Sequence, residues 1–132
     1  MPLDYTHVSH LNSSKKEWKI RALISRTWDF YPKDKPGVIL GMEVILVDEK
    51  EHKHFSGDRI QASVKQKLVR KFRKELLEGE CRDIMNFEVF DNNGGYKGTT
   101  HPFKINFMYT TCVKPCDEIL YLASISLLFQ RF

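Results

Sequence analysis

Five consecutive turn formers, Asp91-Asn92-Asn93-Gly94-Gly95, sit between two apolar, strand-prone segments in residues 81–111, CRDIMNFEVFDNNGGYKGTTHPFKINFMYTT. Asn-Gly and Gly-Gly tolerate positive φ, so the run predicts a β-hairpin. In its second arm, residues 103–109 (FKINFMY), apolar and polar side chains alternate at first, as on a half-buried strand. Phe103, Ile105, Phe107 and Tyr109 are expected on one face, Lys104 and Asn106 on the other. A lone hairpin is marginal in water, so these apolar side chains need a further sheet to pack on.

The preceding segments supply one. Residues 17–27 (EWKIRALISRT) set Trp18, Ile20, Ala22 and Ile24 against Lys19, Arg21, Leu23 and Ser25, a first strand with a basic outer face. Residues 28–37 (WDFYPKDKPG), with two prolines and three aromatics, read as a loop. Residues 38–47 (VILGMEVILV) are nearly continuous and apolar, which predicts a strand buried on both faces, with Gly41 marking a bulge or sharp bend. After a charged turn at 48–58, residues 60–64 (IQASV) form a third strand. Ile60, Ala62 and Val64 should point inward; Arg59, Gln61, Ser63 and Lys65 should point outward. Residues 67–78 (KLVRKFRKELLE) have helical periodicity: Leu68, Phe72 and Leu76 recur at four, Val69 widens the stripe, and Gly79 stands where a C-cap glycine belongs. The order strand, strand, strand, helix, strand, strand predicts an all-β domain with one helix. It is the order of a five-stranded Greek-key OB-fold barrel, whose helix lies between strands 3 and 4 and plugs the open end. The expected boundaries are 1–117 for the barrel and 118–132 for an apolar C-terminal tail, helical and docked.

Composition narrows the function. The chain has 132 residues, 42% of them apolar and 29% charged, which suits a single soluble domain, and its net charge of +4 suits an anionic partner. Three cysteines, an odd number, argue against a secreted disulfide framework and for a reducing compartment. Cys112 and Cys116 are four apart and His52 and His54 two apart, neither a common zinc spacing, so free thiols and no metal are expected. The first residues, MPLDYTHVSHLNSSKK, have no apolar run, so no signal peptide is expected and the Asn12-Ser13-Ser14 triplet reads as chance. No run is long enough to span a bilayer, and no membrane partner is expected. There is no phosphate-cradling glycine loop with a lysine, no nucleophile elbow and no paired carboxylates in a plausible cleft. Neither catalytic residues nor a cofactor are therefore predicted, and His101 before Pro102 reads as structural.

Three segments, KEWKIRALISRTW (16–28), VDEK (47–50) and IQASVKQKLVRKF (60–72), resemble the single-stranded-DNA-binding OB domains of the large subunit of replication protein A. The likeness is greatest to plant replication-factor-A-like proteins, including those encoded near Helitron transposons, and it covers roughly residues 5–117. There, residues 86–111 correspond to strand 4, the following loop and strand 5. The resemblance implies binding of single-stranded DNA with little sequence preference, in replication, repair or recombination in the nucleus. It also implies other replication protein A-type subunits as partners. Position by position, Arg26 and Trp28 match the Arg-x-Trp that opens the loop between strands 1 and 2. Lys33 and Lys35 stand where a further basic contact is found, and Gln61 where the family often has a basic residue. Tyr96 falls on a base-stacking aromatic of the loop between strands 4 and 5. Lys104 and Asn106 fall on groove-lining positions of strand 5.

Three departures accompany the match. A second stacking aromatic falls at Lys65, residues 51–56 (EHKHFS) look like extra length, and the tail after Asp117 does not fit. In the implied mechanism Arg21, Arg26, Lys65 and Lys104 take phosphates while Tyr96 and Trp28 stack on bases. Other uses stay open: Trp28 as a core-edge residue, Tyr96 as exposed packing, Phe90 in the core or rim. Trp18 is assigned to the core. The rival function is a protein-interaction OB module, with Leu122, Ile125, Phe129 and Phe132 as one helical stripe that docks on the barrel or on a second copy.

Overall fold

Alternating burial is what first organises the computed structural model, which describes residues 5–35, 37–48, 58–92, 99 and 101–116. Strand β1 (Lys19–Phe30) buries Ile20, Ala22 and Ile24, and Trp18 just ahead of it joins the same core. Strand β2 (Gly41–Asp48) is buried on both faces, as its continuous apolar run demands. Strand β3 (Arg59–Lys65) turns Ile60, Ala62 and Val64 inward. Helix α1 (Gln66–Phe72) follows, then β4 (Cys81–Met85), β5 (Glu88–Asp91), β6 (Phe103–Asn106) and β7 (Cys112–Pro115).

The pairings form one curled sheet in the order β5-β6-β3-β2-β1-β4-β7. Antiparallel ladders join β1 to β2, β2 to β3 and β5 to β6, while β3 pairs with β6 in parallel. β4 pairs antiparallel with β1, and β4 and β5 are one bent strand broken at Asn86 and Phe87. At that bend Asn86 takes φ 63°, a left-handed conformation that asparagine tolerates better than most residues, and Phe87 drops into the core with no exposed surface. The predicted five-stranded barrel is thus present, with α1 between its third and fourth strands. Leu68, Val69, Phe72 and Leu76 seat the helix on the core, where the Phe72 and Phe107 rings meet edge to face at 5.1 Å.

Several expectations are corrected. The segment 28–37 is not all loop, because β1 runs on through Phe30. The irregularity expected at Gly41 lies instead on β1, where the register with β2 shifts between Ile24 and Arg26. Gly41 answers to a different constraint: a Cβ there would lie 2.5 Å from the Val64 backbone oxygen. Gly41→Ala should therefore cost about 1–3 kcal/mol, the range for overpacking, read as a lower denaturant midpoint in chemical unfolding.

The α-helix ends at Phe72, not at residue 78, since the chain must turn back to β1. Gly79, at φ 87°, donates its N–H to Ile24 O, and Ile24 N–H donates to Glu80 O, both at 2.8 Å. Tyr109 does not continue the inward face of β6. The strand ends at Asn106, Thr111 N–H donates to Met108 O across a turn, and Tyr109 is left 75% exposed.

The last strand, β7, was not anticipated. It adds to β4 and carries Cys116 beside Cys81, and the two form a disulfide with Cα atoms 5.7 Å apart. Only Cys112 of the three cysteines is a free thiol, so the cysteine count is no longer a ground for a reducing compartment. The bonded pair, with Val47 and Leu23, makes a small apolar cluster on the outer face of the barrel. Tyr96, His52, His54, the insertion at 51–56 and the tail at 118–132 lie outside the described residues.

Candidate nucleic-acid interface

A β-bulge turns one half of β1 inside out. Up to Ile24 the even-numbered residues face the core. Ser25 is passed over in the ladder with β2, so Arg26 pairs with Ile45, Trp28 with Glu43 and Phe30 with Gly41. One extra residue in a strand with a period of two moves every later side chain to the opposite face. Arg26, Trp28 and Phe30 are thereby delivered to the barrel's outer surface, although simple alternation would bury them. The bulge is held in place: Thr27 N–H donates to Glu78 Oε1 at 2.8 Å, in addition to the Ile24 bonds from residues 79 and 80.

Across β1, β2 and β3 this produces outward rungs. Trp28 lies beside Glu43, which lies beside Ser63; Phe30 lies beside Gly41, which lies beside Lys65. With Leu40, Gln61, Val64 and Lys104 they line a concavity of about 520 Å³. Gly41 has no side chain to fill it, so the floor between Phe30 and Lys65 stays open. The Arg26 guanidinium lies 5.1 Å from the centroid of the Trp28 ring, a cation–π contact at the rim. In the floor, Glu43 Oε1 accepts from Gln61 Nε2 at 2.6 Å and from Ser63 Oγ at 3.0 Å, and Lys104 Nζ stands 3.6 Å from it.

Of the residues singled out by sequence, Trp28, Gln61, Lys65 and Lys104 line this one concavity, with Arg26 against its Trp28 wall. Gln61 keeps its outward orientation but is only 2% exposed. Asn106 is not a lining residue; its amide donates to Glu88 Oε1 at 3.1 Å. Lys33 and Lys35 are exposed in the loop after β1 and do not line it either.

Arg21 is elsewhere, about 20 Å along β1 from Trp28 at the rise of an extended strand. Its guanidinium donates to Asp83 Oδ1 at 2.9 Å and to Tyr5 Oη at 2.6 Å, and the hydroxyl of Tyr5 donates to Asp83 Oδ2. The hydrogen bond that Arg21 donates to Asp83 raises the pKa of Arg21, and burial raises that of Tyr5. Arg21 is thus an ion-pair partner joining β1 to β4, not a groove cation.

Sequence reasoning left Phe30 undecided and missed Glu43 as a groove residue. The i, i+2 spacing of Arg26, Trp28 and Phe30 was a usable signal, but only had the strand been extended past Thr27. His101, expected to be structural, donates through Nε2 to Val8 O at 2.8 Å, while its Nδ1 accepts from Phe103 N–H at 3.0 Å. It ties the N-terminal turn to β6. Among the described residues no cluster of metal-ligating side chains is present, and no helix is long and apolar enough to cross a membrane.

A curled sheet with a parallel β3–β6 pair and one helix between β3 and β4 defines an OB-fold protein, here with an aromatic and basic groove on its outer face. The family model described as Domain of unknown function DUF223 matches residues 9–128, and the chain belongs to that family. Among solved structures, it is similar to a replication protein A heterotrimer bound to ssDNA, at 18% identity and TM-score 0.65, over 84% of this chain and 24% of that one. It is similar to fission yeast Pot1 with ssDNA, at 12% identity and TM-score 0.62, over 98% of this chain and 46% of that one. DNA-binding domain A of S. cerevisiae replication protein A gives 18% identity and TM-score 0.60, over 86% of this chain and 95% of that domain. The chain therefore spans less than half the length of the first two and nearly all of the third. No curated protein matches it in sequence.

Proposed function

We propose that this chain binds single-stranded DNA in the concavity between Trp28, Phe30, Lys65 and Lys104. The observation that carries the proposal is the bulge-driven placement of two aromatic rings on one outer face, opposite two lysines. Bases stack on Trp28 and Phe30, and stacking on an aromatic is worth about 1–3 kcal/mol per base whatever the base. Lys65, Lys104 and Arg26 take phosphates along the groove, with Lys33 and Lys35 extending the contact from the loop after β1 and Tyr96 as a further stacking ring. Phe30 supplies a second ring where the family's strand-3 aromatic is replaced by Lys65. The setting is DNA replication, repair or recombination in the nucleus, in company with other subunits of the replication protein A type. The structural likeness to domains solved with ssDNA supports that assignment. One domain by itself binds weakly, and linkage to further domains raises the affinity by effective concentration.

The test is an anisotropy titration of the chain with a labelled mixed-sequence oligonucleotide, single-stranded and as a duplex. Single-stranded DNA should bind the more tightly. Its affinity should fall roughly tenfold between about 50 and 200 mM salt, the loss expected when about three cations displace counterions. Equal affinity for single strand and duplex would overturn the proposal.

A further inference from the structure

Glu43 is out of place in a groove that holds phosphates. It lies on the central rung, directly across from Trp28 and beside Ser63, with its side chain 14% exposed. A carboxylate there repels the backbone of a nucleic acid, yet it is held firmly. Gln61, Ser63 and Lys104 all approach the same oxygen, Oε1. Among the described residues Oε2 has no hydrogen-bond partner, and Glu43 lines the open concavity. A carboxylate oxygen accepts and cannot donate. What fits it is a donor on the edge of a base, not a phosphate.

We infer that Glu43 reads the Watson–Crick edge of the base stacked on Trp28, selecting bases with an exocyclic amino group over thymine and uracil. This rests on the groove being the single-strand site proposed above. Directly opposed side chains on neighbouring strands have Cβ atoms about 4.5–5.5 Å apart, so a base lying on the Trp28 ring extends its edge over Glu43. Cytosine N4 and adenine N6 donate there; guanine offers N1–H and its 2-amino group. Uracil and thymine put the O4 acceptor where cytosine has N4–H. Their one donor on that edge, N3–H, is flanked by O4 and O2, so a carboxylate oxygen that accepts from it also faces carbonyl lone pairs that repel it. Carboxylates accept from cytosine N4 in the same way where proteins read DNA directly. The groove is therefore sequence-tolerant along most of its length, with a donor requirement at one base.

Cytosine and uracil homopolymers isolate this term, because the two bases differ only in the donor and acceptor pattern of that edge. The chain should bind oligo-deoxycytidine about tenfold more tightly than oligo-deoxyuridine of the same length, the worth of one hydrogen bond to a charged group. Oligomers of N4,N4-dimethylcytosine, which keep the ring and lose the donor, should bind like oligo-deoxyuridine. Glu43→Gln places an amide where the free oxygen stood, so the cytosine-to-uracil ratio should fall to one or below while the melting temperature stays near that of the parent.

Equal binding of cytosine, dimethylcytosine and uracil oligomers by the parent chain would overturn the inference and leave single-strand binding standing. Failure to bind any of them would overturn both. A cytosine preference that survives in folded Glu43→Gln would remove the role from Glu43. Should that variant fail to fold, the dimethylcytosine comparison decides the matter on the parent chain.

Discussion

Trp28→Ala combined with Phe30→Ala weakens binding of a mixed-sequence single strand by on the order of a hundredfold, with each single change costing about tenfold. Both rings stand on the outer face of β1 after the bulge, and Phe30 is 51% exposed, so truncation removes surface that the core does not use. The melting temperature should move by no more than a few degrees. The two positions are neighbours on one face, so their effects need not add, and the double variant measures the coupling. Loss of Trp28 also strips the Arg26 guanidinium of its ring contact. Arg21→Ala is the contrast. It breaks the pairing with Asp83 and Tyr5, and should lower stability without weakening oligonucleotide binding. Anisotropy and thermal melts on the same preparations check both halves. Binding that survives the double substitution would remove the aromatic groove from the site.

Phe72→Ala gives the largest expected loss of stability, about 3–5 kcal/mol, the usual cost of emptying a buried phenylalanine site. Phe72 has no exposed surface and packs against Phe107, so one truncation opens a void between helix and barrel. A domain of this size has only about 5–15 kcal/mol of stability in all. The midpoint of thermal unfolding should therefore fall by on the order of 10–20 °C. Leu77, five residues on, past the end of the helix and 48% exposed, should tolerate alanine with a change of about 0.5 kcal/mol or less. A midpoint unmoved in Phe72→Ala would mean that α1 does not close the barrel.

Much of the architecture was legible because local rules and burial agree. Residues 60–64 alternate, and Ile60, Ala62 and Val64 are buried as the alternation requires. Residues 44–47 are apolar throughout because β2 is covered on both faces, by the core inside and partly by the Cys81–Cys116 cluster outside. The hairpin arms β5 and β6 pair in the register that sets Ile105 and Phe107 inward and Lys104 outward. Within the groove, Lys65 and Lys104 were accessible to sequence reasoning because a lysine on a strand's polar face has few other places to point.

Other features were not legible, each for a physical reason. Arg21 and Arg26 have the same charge and stand on the same strand, but Asp83, distant in sequence, claims one of them. Cys81 and Cys116 are 35 residues apart with no spacing that announces a bridge, and only the β4–β7 pairing brings them together. Glu43 reads as the polar interruption of a buried strand until Gln61, Ser63 and Lys104 are seen around it.

What the order of residues determined by itself is the set of strands and the single helix, because alternation and periodicity are properties of neighbouring positions. Which face carries Trp28 was decided only by the tertiary structure. One residue looped out at Ser25 inverts the strand beyond it, and that bulge is held by partners at residues 78–80 which meet β1 only once the barrel has closed.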